Sequence, residues 1–344
     1  MSKQIVVIPG DGIGPEVIGA ALSSLEKLEL DFEYLVQEVG RKCWEKNGKA
    51  LPEETIDLIR ETGVCLKGPT WTPPGPATYR SVAVTLRQTL GLYANVRPIM
   101  SRDGVDCLQR DVDFIIIREN TEGAYKGWEH AVGDDAIGVR VITKRGCERI
   151  ARFAFELARS KGRKKVTAVH KANILKETCG LFKRTCEEIA LKYPEVGLEE
   201  AYVDAATLGM IINPQKFDIV LTTNLFGDIL SDGAAGLIGG LGLAPSANIG
   251  DEHALFEPAH GVALDIAGKG IANPCAAILS AALMLQHLGE EEEAERLERA
   301  VNEVLREGKV LTPDLGGGAK TAEMAEEIGK KLNPQAISSR FQKC

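Results

Sequence analysis

The sequence predicts an α/β protein built on a mostly parallel sheet with helices on both faces. Three observations carry that prediction. Short apolar runs alternate with helix-length amphipathic segments along the chain. The runs are apolar at consecutive positions, as in "FIII" at 114–117, which suits strands buried on both sides. Charged residues gather just past these runs, where chemistry collects in open α/β sheets.

Taken in order, Gln4–Ile8 is the first strand. Pro15 suits the first turn of a helix carrying Val17, Ile18 and Leu22. Phe32–Glu38 reads as strand. Pro52 opens a helix with Ile56 and Ile59 on one face and Gly63 as its stop. Val64–Lys67 is strand again, and Phe114–Arg118 is an apolar strand ending in a charge. Thr143–Lys161 is a long helix with Ile150, Phe153 and Leu157 at helical spacing. Lys165–Val169 and a helix to Lys192 repeat the unit, as do Phe217–Thr222 and a helix from about Leu225. The C-terminal part is richer in helix, with residues 290–305 forming a solvated amphipathic one. Gly/Pro-rich stretches at 68–76 and 239–250 read as loops or hinges, and no repeat or low-complexity linker interrupts the chain.

The 344 residues leave room for roughly two domains. A net charge of −8 has the wrong sign to attract nucleic acid or an anionic membrane. The eight cysteines, at 43, 65, 107, 147, 179, 186, 275 and 344, form no CxxC pair and read as small buried hydrophobes of a reducing compartment. No apolar run approaches ~18 residues and no secretory h-region is present, so a cytoplasmic protein is expected.

"GDGIGPEV" at 10–17 is spaced G-x-G-x-G before Pro15, so it departs from the dinucleotide pattern G-x-G-x-x-G. A tight strand-to-helix turn that lets backbone approach a ligand fits it better. In "TTNLFGDILSDGAAG", Asp228 and Asp232 are four apart and share one helix face. Apolar Ile229 and Leu230 suggest a largely buried helix, on which paired carboxylates suit Mg2+ or Mn2+. Asp204, at another strand end, is a candidate third ligand.

Between 80 and 118 there are six arginines and no lysine. Arg87, Arg97 and Arg118 sit in apolar settings and need anions, which points to a substrate with several carboxylates. Arg102 and Arg110 have aspartates close by in sequence and read as surface pairs. Tyr125 and Lys171 stand just beyond strands, the lysine open to desolvation and use as a base, the tyrosine usable as an acid.

Together "GDGIGPEV", "LRQTLGLYANVRP", "IIRENTEGAYKG", "HKANI", "TTNLFGDILSDGAAGLIGGLGLAPSANIG" and "FEPAHGVALDIAGKGIANP" resemble the β-decarboxylating dehydrogenases of isocitrate, isopropylmalate and homoisocitrate. The resemblance runs from residue 6 to about 318. It implies a two-domain isopropylmalate dehydrogenase-like fold, not a Rossmann fold. Residues 1–98 and 251–344 would form a large domain, and 99–250 a small one with the dimer interface. The active site would lie in the cleft between them.

The same resemblance implies roles. Arg87, Arg97 and Arg118, with Ser81, would hold the substrate. Asp228 and Asp232 would bind the metal, joined by Asp204 of a second subunit. Lys171, also from that subunit, would deprotonate the C2 hydroxyl, and Tyr125 would protonate C3 after loss of CO2. The loop 257–273 would hold the cofactor through Glu257, His260, Gly261, Asp265, Ile266 and Asn273, with Thr72 and Asn173 contributing. Relatives usually read "HGSAPDIAGK", so Val262 and Leu264 are departures.

A carboxylate at Asp265 can accept hydrogen bonds from both ribose hydroxyls of NAD and would repel a 2′-phosphate, which favours NAD over NADP. For the substrate, Ser81 keeps one element of the isocitrate pattern "SxNxxxR", while Ala83 replaces its Asn. Room at Ala83, with Arg80 placed to meet a distal carboxylate, favours homoisocitrate or a longer homologue. Isopropylmalate is the alternative, because Ala83 and Val84 also suit an isopropyl group, and isocitrate is third. A regulatory subunit of the same fold is the non-enzyme alternative. Retention of Tyr125, Lys171, the three aspartates and the three arginines argues for an active enzyme, as a homodimer or dimer of dimers.

Overall fold

The computed structural model describes residues 2–75 and 78–332. In chain order its elements are β1 (Lys3–Ile8), α1 (Gly14–Glu26), β2 (Phe32–Val36), α2 (Arg41–Asn47), α3 (Glu53–Thr62) and β3 (Val64–Lys67). There follow α4 (Val82–Thr89), β4 (Ala94–Met100), β5 (Asp113–Glu119), β6 (Gly123–Val132), β7 (Asp135–Val141) and α5 (Lys144–Ser160). Next come β8 (Lys165–His170), α6 (Thr178–Ala190), β9 (Gly197–Tyr202), α7 (Val203–Ile212), β10 (Ile219–Thr222) and α8 (Asn224–Leu237). The chain closes with β11 (Pro245–Ile249), β12 (Ala254–Pro258), α9 (Cys275–His287), α10 (Glu291–Glu307) and α11 (Thr321–Leu332).

One ten-stranded sheet runs through the molecule in the order β2-β1-β3-β12-β11-β4-β5-β10-β8-β9, and β6 with β7 forms a separate hairpin. The expected parallel pairing holds within two blocks, β2-β1-β3-β12 and β5-β10-β8-β9. Between them β11 and β4 pair antiparallel with every neighbour, so the two blocks run in opposite directions. The stretch 239–250, expected to be loop, contains β11 in the middle of the sheet. Its residues Pro245–Asn248 are buried on both sides, which the Gly/Pro content had masked.

The register decides what faces what. Leu66, Phe256, Ala247 and Val96 are Cα partners in one row. The next residues along, Lys67, Glu257, Ser246 and Arg97, therefore form a polar row on the opposite face, because successive side chains alternate. Asn248, Asn95 and Arg118 are partners two residues on and share that face. A belt of polar side chains thus crosses the centre of an otherwise apolar sheet.

The helices start and stop for local reasons. Thr143 caps α5, its hydroxyl accepting from the Gly146 N–H at 3.0 Å. Helix α3 ends on Gly63 at φ +78°, as the sequence predicted. Ile150, Ala154 and Phe155 are buried along α5, and Phe155 stacks on Tyr193 with ring centroids 5.4 Å apart. Each large apolar side chain so buried contributes roughly 1.5–3 kcal/mol. Among the cysteines, 43, 65, 147, 179, 186 and 275 are buried and Cys107 partly so, while Cys344 lies outside the described residues.

The glycine-rich turn is a tight one. Gly10 and Gly12 have φ of +76° and +59°, and a Cβ at Gly12 would stand 2.0 Å from the Val262 carbonyl oxygen. Ile13 N–H donates to that same carbonyl at 3.0 Å. The turn is thereby locked to the loop 257–273. Asp11 ties in two further segments, its carboxylate accepting from the backbone N–H of Arg41 and of Trp71, each at 2.9 Å. None of the helices among the described residues is long and apolar enough to cross a membrane.

Candidate active site

The three arginines singled out from the sequence converge. Arg118, at the end of β5, has a side chain 1% exposed and directs its guanidinium to Asn224 Oδ1 at 2.7 and 2.9 Å and to Asp228. Arg97, on β4, donates to Asn95 Oδ1 at 2.9 Å, Ser231 Oγ at 2.7 Å and Asp232 at 2.6 Å. Arg87, on α4, donates to Glu257 Oε1 at 2.9 Å, and its buried Nε has no partner. Tyr125, from β6, donates its hydroxyl to Asp228, and Arg118 lies over the tyrosine ring at 4.9 Å. Asp228 and Asp232 lie on α8 as spaced. Ile229 between them is 64% exposed while Leu230 is buried, so the helix, expected to be largely buried, is buried along one side only.

Helix α8 reaches this depth through Gly227. A Cβ there would meet Cβ and Cγ of Arg118 at 2.6 Å, so only glycine lets the helix seat against the arginine.

The charges settle one another. Burial and then the neighbouring Arg87 lower the Arg118 pKa to about 10, against the pull of Asp228. Burial pushes Asp228 up, but Arg118, the Tyr125 hydroxyl and Arg97 outweigh it and hold the carboxylate below its usual range. Glu257 behaves likewise. Burial raises it, while Lys67 at 2.7 Å and Arg87 bring it well below the ordinary value. Tyr125 moves up, by burial and by its bond to Asp228, and so keeps its proton at neutral pH. Lys67, Arg87, Arg97 and Arg118 face Glu257, Asp228 and Asp232, an excess of one positive charge at neutral pH.

Lys171 and Asp204 are paired with each other at 2.5 Å rather than with this cluster. Lys171 is about a quarter exposed and Asp204 about two-thirds. The lysine holds Asp204 below the usual carboxylate range. Asn173 is nearby, on the wall of a 270 Å3 pocket with His170 and Tyr202. Among the described residues of a single chain, no three metal-ligating side chains cluster.

Of the residues expected to hold a cofactor, His260, Ile266 and Asn273 line one 240 Å3 cavity together with Ile13 and Asp314. Burial lowers the His260 pKa, so its imidazole is neutral. Gly261 and Asp265 are exposed. Glu257 stands apart from that cavity, in the arginine network. Thr72 is partly buried in the loop after β3. Ser81 is the N-cap of α4, its oxygen accepting from Val84 N–H at 3.4 Å. Arg80 is exposed and bonded to Gln88.

Two further expectations need correction. Arg102 is no surface pair with its sequence neighbours. Its side chain is 6% exposed and paired with Glu298 on α10 at 3.0 Å, a contact almost two hundred residues away that local sequence cannot reveal. Arg110 has no ion pair among the described residues. Sequence reasoning also missed Lys67, Asn95 and Asn248. Asn248 receives from Asn95 and Asn120 and donates to Glu257, each within 3.0 Å, so it joins the glutamate to the arginines. Asn95 is legible afterwards as the polar residue two before Arg97 on a strand.

Comparison with known proteins identifies the family. The family described as isocitrate/isopropylmalate dehydrogenase matches residues 4–328. A 3-isopropylmalate dehydrogenase of Archaeoglobus fulgidus is 53% identical, over 96% of this chain and 100% of its own. A 3-isopropylmalate/3-methylmalate dehydrogenase of Methanocaldococcus jannaschii is 52% identical, over 96% and 99%. Among solved structures, isocitrate dehydrogenase from Methylococcus capsulatus superposes with a TM-score of 0.93 at 51% identity, over 96% of this chain and 99% of that one. The fold is mixed α/β and not a Rossmann fold, and the chain is an enzyme, an oxidoreductase belonging to the isocitrate/isopropylmalate dehydrogenase family.

Proposed function

We propose that the protein catalyses the NAD-dependent oxidative decarboxylation of 3-isopropylmalate, or of a malate with a similarly small 3-alkyl group. The observation that carries this is the unsatisfied buried Nε of Arg87, beside two further buried arginines in a network with a positive excess. Buried donors without partners call for an anion with several oxygens. The sequence favoured homoisocitrate. The two isopropylmalate relatives named above, at 53% and 52% identity, weigh instead toward isopropylmalate, the alternative. Ala83 and Val84 on α4 then present a small apolar surface to the 3-substituent.

In this reading 1–98 with 251–344 and 99–250 are the two domains. Asp228 and Asp232 would hold Mg2+ or Mn2+. Two carboxylates with hard oxygen donors fit such an ion, and the third, Asp204, would come from the partner of a homodimer. The exposed Asp265 and the 240 Å3 cavity fit the adenosine end of NAD. NAD would supply the acceptor for the C2 hydride and the metal a Lewis acid for the C2 oxygen.

The chain's own residues do the rest. Arg87, Arg97 and Arg118 fix the malate carboxylates. Lys171 of one subunit takes the C2 hydroxyl proton in the other subunit's site. Tyr125, still protonated, returns a proton to C3 once CO2 has left. Incubating the enzyme with 3-isopropylmalate, NAD and Mg2+ should release NADH and CO2 in equal amounts. NADH without CO2, or neither product, refutes the proposal.

A further inference from the structure

The mechanism leaves one charged residue of the glycine-rich turn unused, Asp11. It is 8% exposed, and among the described residues its two oxygens accept from backbone N–H groups alone. Arg41 N–H lies 2.9 and 3.1 Å from them and Trp71 N–H 2.9 Å. The fold makes room for this carboxylate. Gly40 has φ +105°, and a Cβ there would stand 2.3 Å from Asp11 Oδ2. The Asp11 N–H also donates to the Pro69 carbonyl at 2.7 Å. Burying a carboxylate costs desolvation that a neutral acceptor would not incur. In return its hydrogen bonds are charge-assisted and hold the partner segments more firmly.

The bond to Trp71 joins two loops. Trp71 has other partners, with the Arg41 guanidinium 4.8 Å over its ring and the Tyr79 hydroxyl donating to its carbonyl. Of the three, only Asp11 belongs to the turn that is bonded to the loop 257–273, through Ile13 N–H and the Val262 carbonyl. Ile13 lines the 240 Å3 cavity with His260 and Asn273, whereas Thr72, the residue after Trp71, does not. The residues expected to hold the cofactor thus stand on separate segments, with Asp11 between them. We propose that Asp11 is a positioning residue that sets the spacing between Thr72 and the His260 cavity, and with it the affinity for a dinucleotide reaching from one to the other. The proposal rests on the NAD-dependent reading above. Without the carboxylate, the segment carrying Thr72 takes other positions. The apparent affinity then falls to the fraction of time spent in the competent one. A ligand confined to the cavity would not feel that loss.

The test is equilibrium binding of NAD and of 5′-AMP, which offers only an adenosine end, to wild type, Asp11→Ala and Asp11→Asn. Asp11→Ala should raise the Kd for NAD about tenfold and leave that for AMP within about twofold. In turnover, KM for NAD should rise while kcat at saturating NAD stays within about twofold. Asp11→Asn keeps one acceptor oxygen, so its effect should be smaller. Unchanged NAD affinity in Asp11→Ala overturns the proposal. An equal loss for NAD and AMP overturns it too, because a merely structural residue would disturb both. In the wild type, NAD should slow hydrogen exchange at the Trp71 amide and AMP should not. No slowing by NAD overturns the proposal even if neither variant folds. Wild-type protein that binds no NAD refutes the NAD-dependent function itself, and the proposal with it.

Discussion

At the scale of single residues, the site is a set of buried charges that depend on one another. Glu257 shows the dependence most clearly, with Lys67, Arg87 and Asn248 all bonded to it. Lys67→Met removes one cation from a buried pair and should lower the unfolding free energy by roughly 3 kcal/mol in urea titration. A loss below about 0.5 kcal/mol would mean the pair is not a stabilising element. Acid should reveal the same group. The folded carboxyl releases its proton at lower pH than the unfolded one, so between those two values the unfolded state binds more protons and stability rises with pH. That contribution is complete above the ordinary glutamate pKa of about 4.3 and is lost as pH falls below it. Glu257→Gln should therefore give a shallower loss of stability on acidification than the wild type, and an unchanged slope would contradict the assignment. Tyr125→Phe should fold, bind NAD and lose on the order of 10²- to 10⁴-fold in kcat, whereas full turnover would remove Tyr125 from the proton step.

At the scale of elements, much was legible and some was not, for identifiable reasons. Strands β1, β3, β5, β8 and β10 were readable because they are buried on both faces and so carry unbroken apolar runs. Strand β4, "ANVRPIM", was not, because it carries the polar belt on one face and a proline near its end. The hairpin β6–β7 is mostly exposed and leaves no burial pattern to detect. Arg87, Arg97, Arg118 and Asp228 were found because charge inside an apolar context is a local signal. Lys67 was not, because its partner Glu257 lies 190 residues away, and Asn248 was not, because an uncharged amide in a Gly/Pro-rich stretch gives no such signal. Helix α8 carries its own prediction. Gly227→Ala places a methyl against Arg118 and should cost roughly 1–3 kcal/mol of stability, with a raised KM for the malate substrate. An unchanged KM would show that the helix can shift without moving the arginine.

At the scale of the whole molecule, Lys171 and Asp204 pair with each other within one chain and not with Asp228 and Asp232, which would give a dimer a mechanistic meaning. If each site borrows Lys171 from the other subunit, Lys171→Met and Tyr125→Phe proteins, each inactive alone, should regain activity after subunit exchange. Each mixed dimer then holds one intact site, so an equal mixture should reach about a quarter of wild-type activity. Mixing that restores nothing would place both residues in a site built from one chain.

The most direct test of the account is kcat/KM for NADH formation, with Mg2+ and NAD, on 3-isopropylmalate, homoisocitrate and isocitrate side by side. The account predicts the highest value for 3-isopropylmalate, with the two tricarboxylates lower because Ala83 and Val84 on α4 offer a third carboxylate no donor. A higher value for homoisocitrate or isocitrate would contradict it and return the distal carboxylate to the substrate.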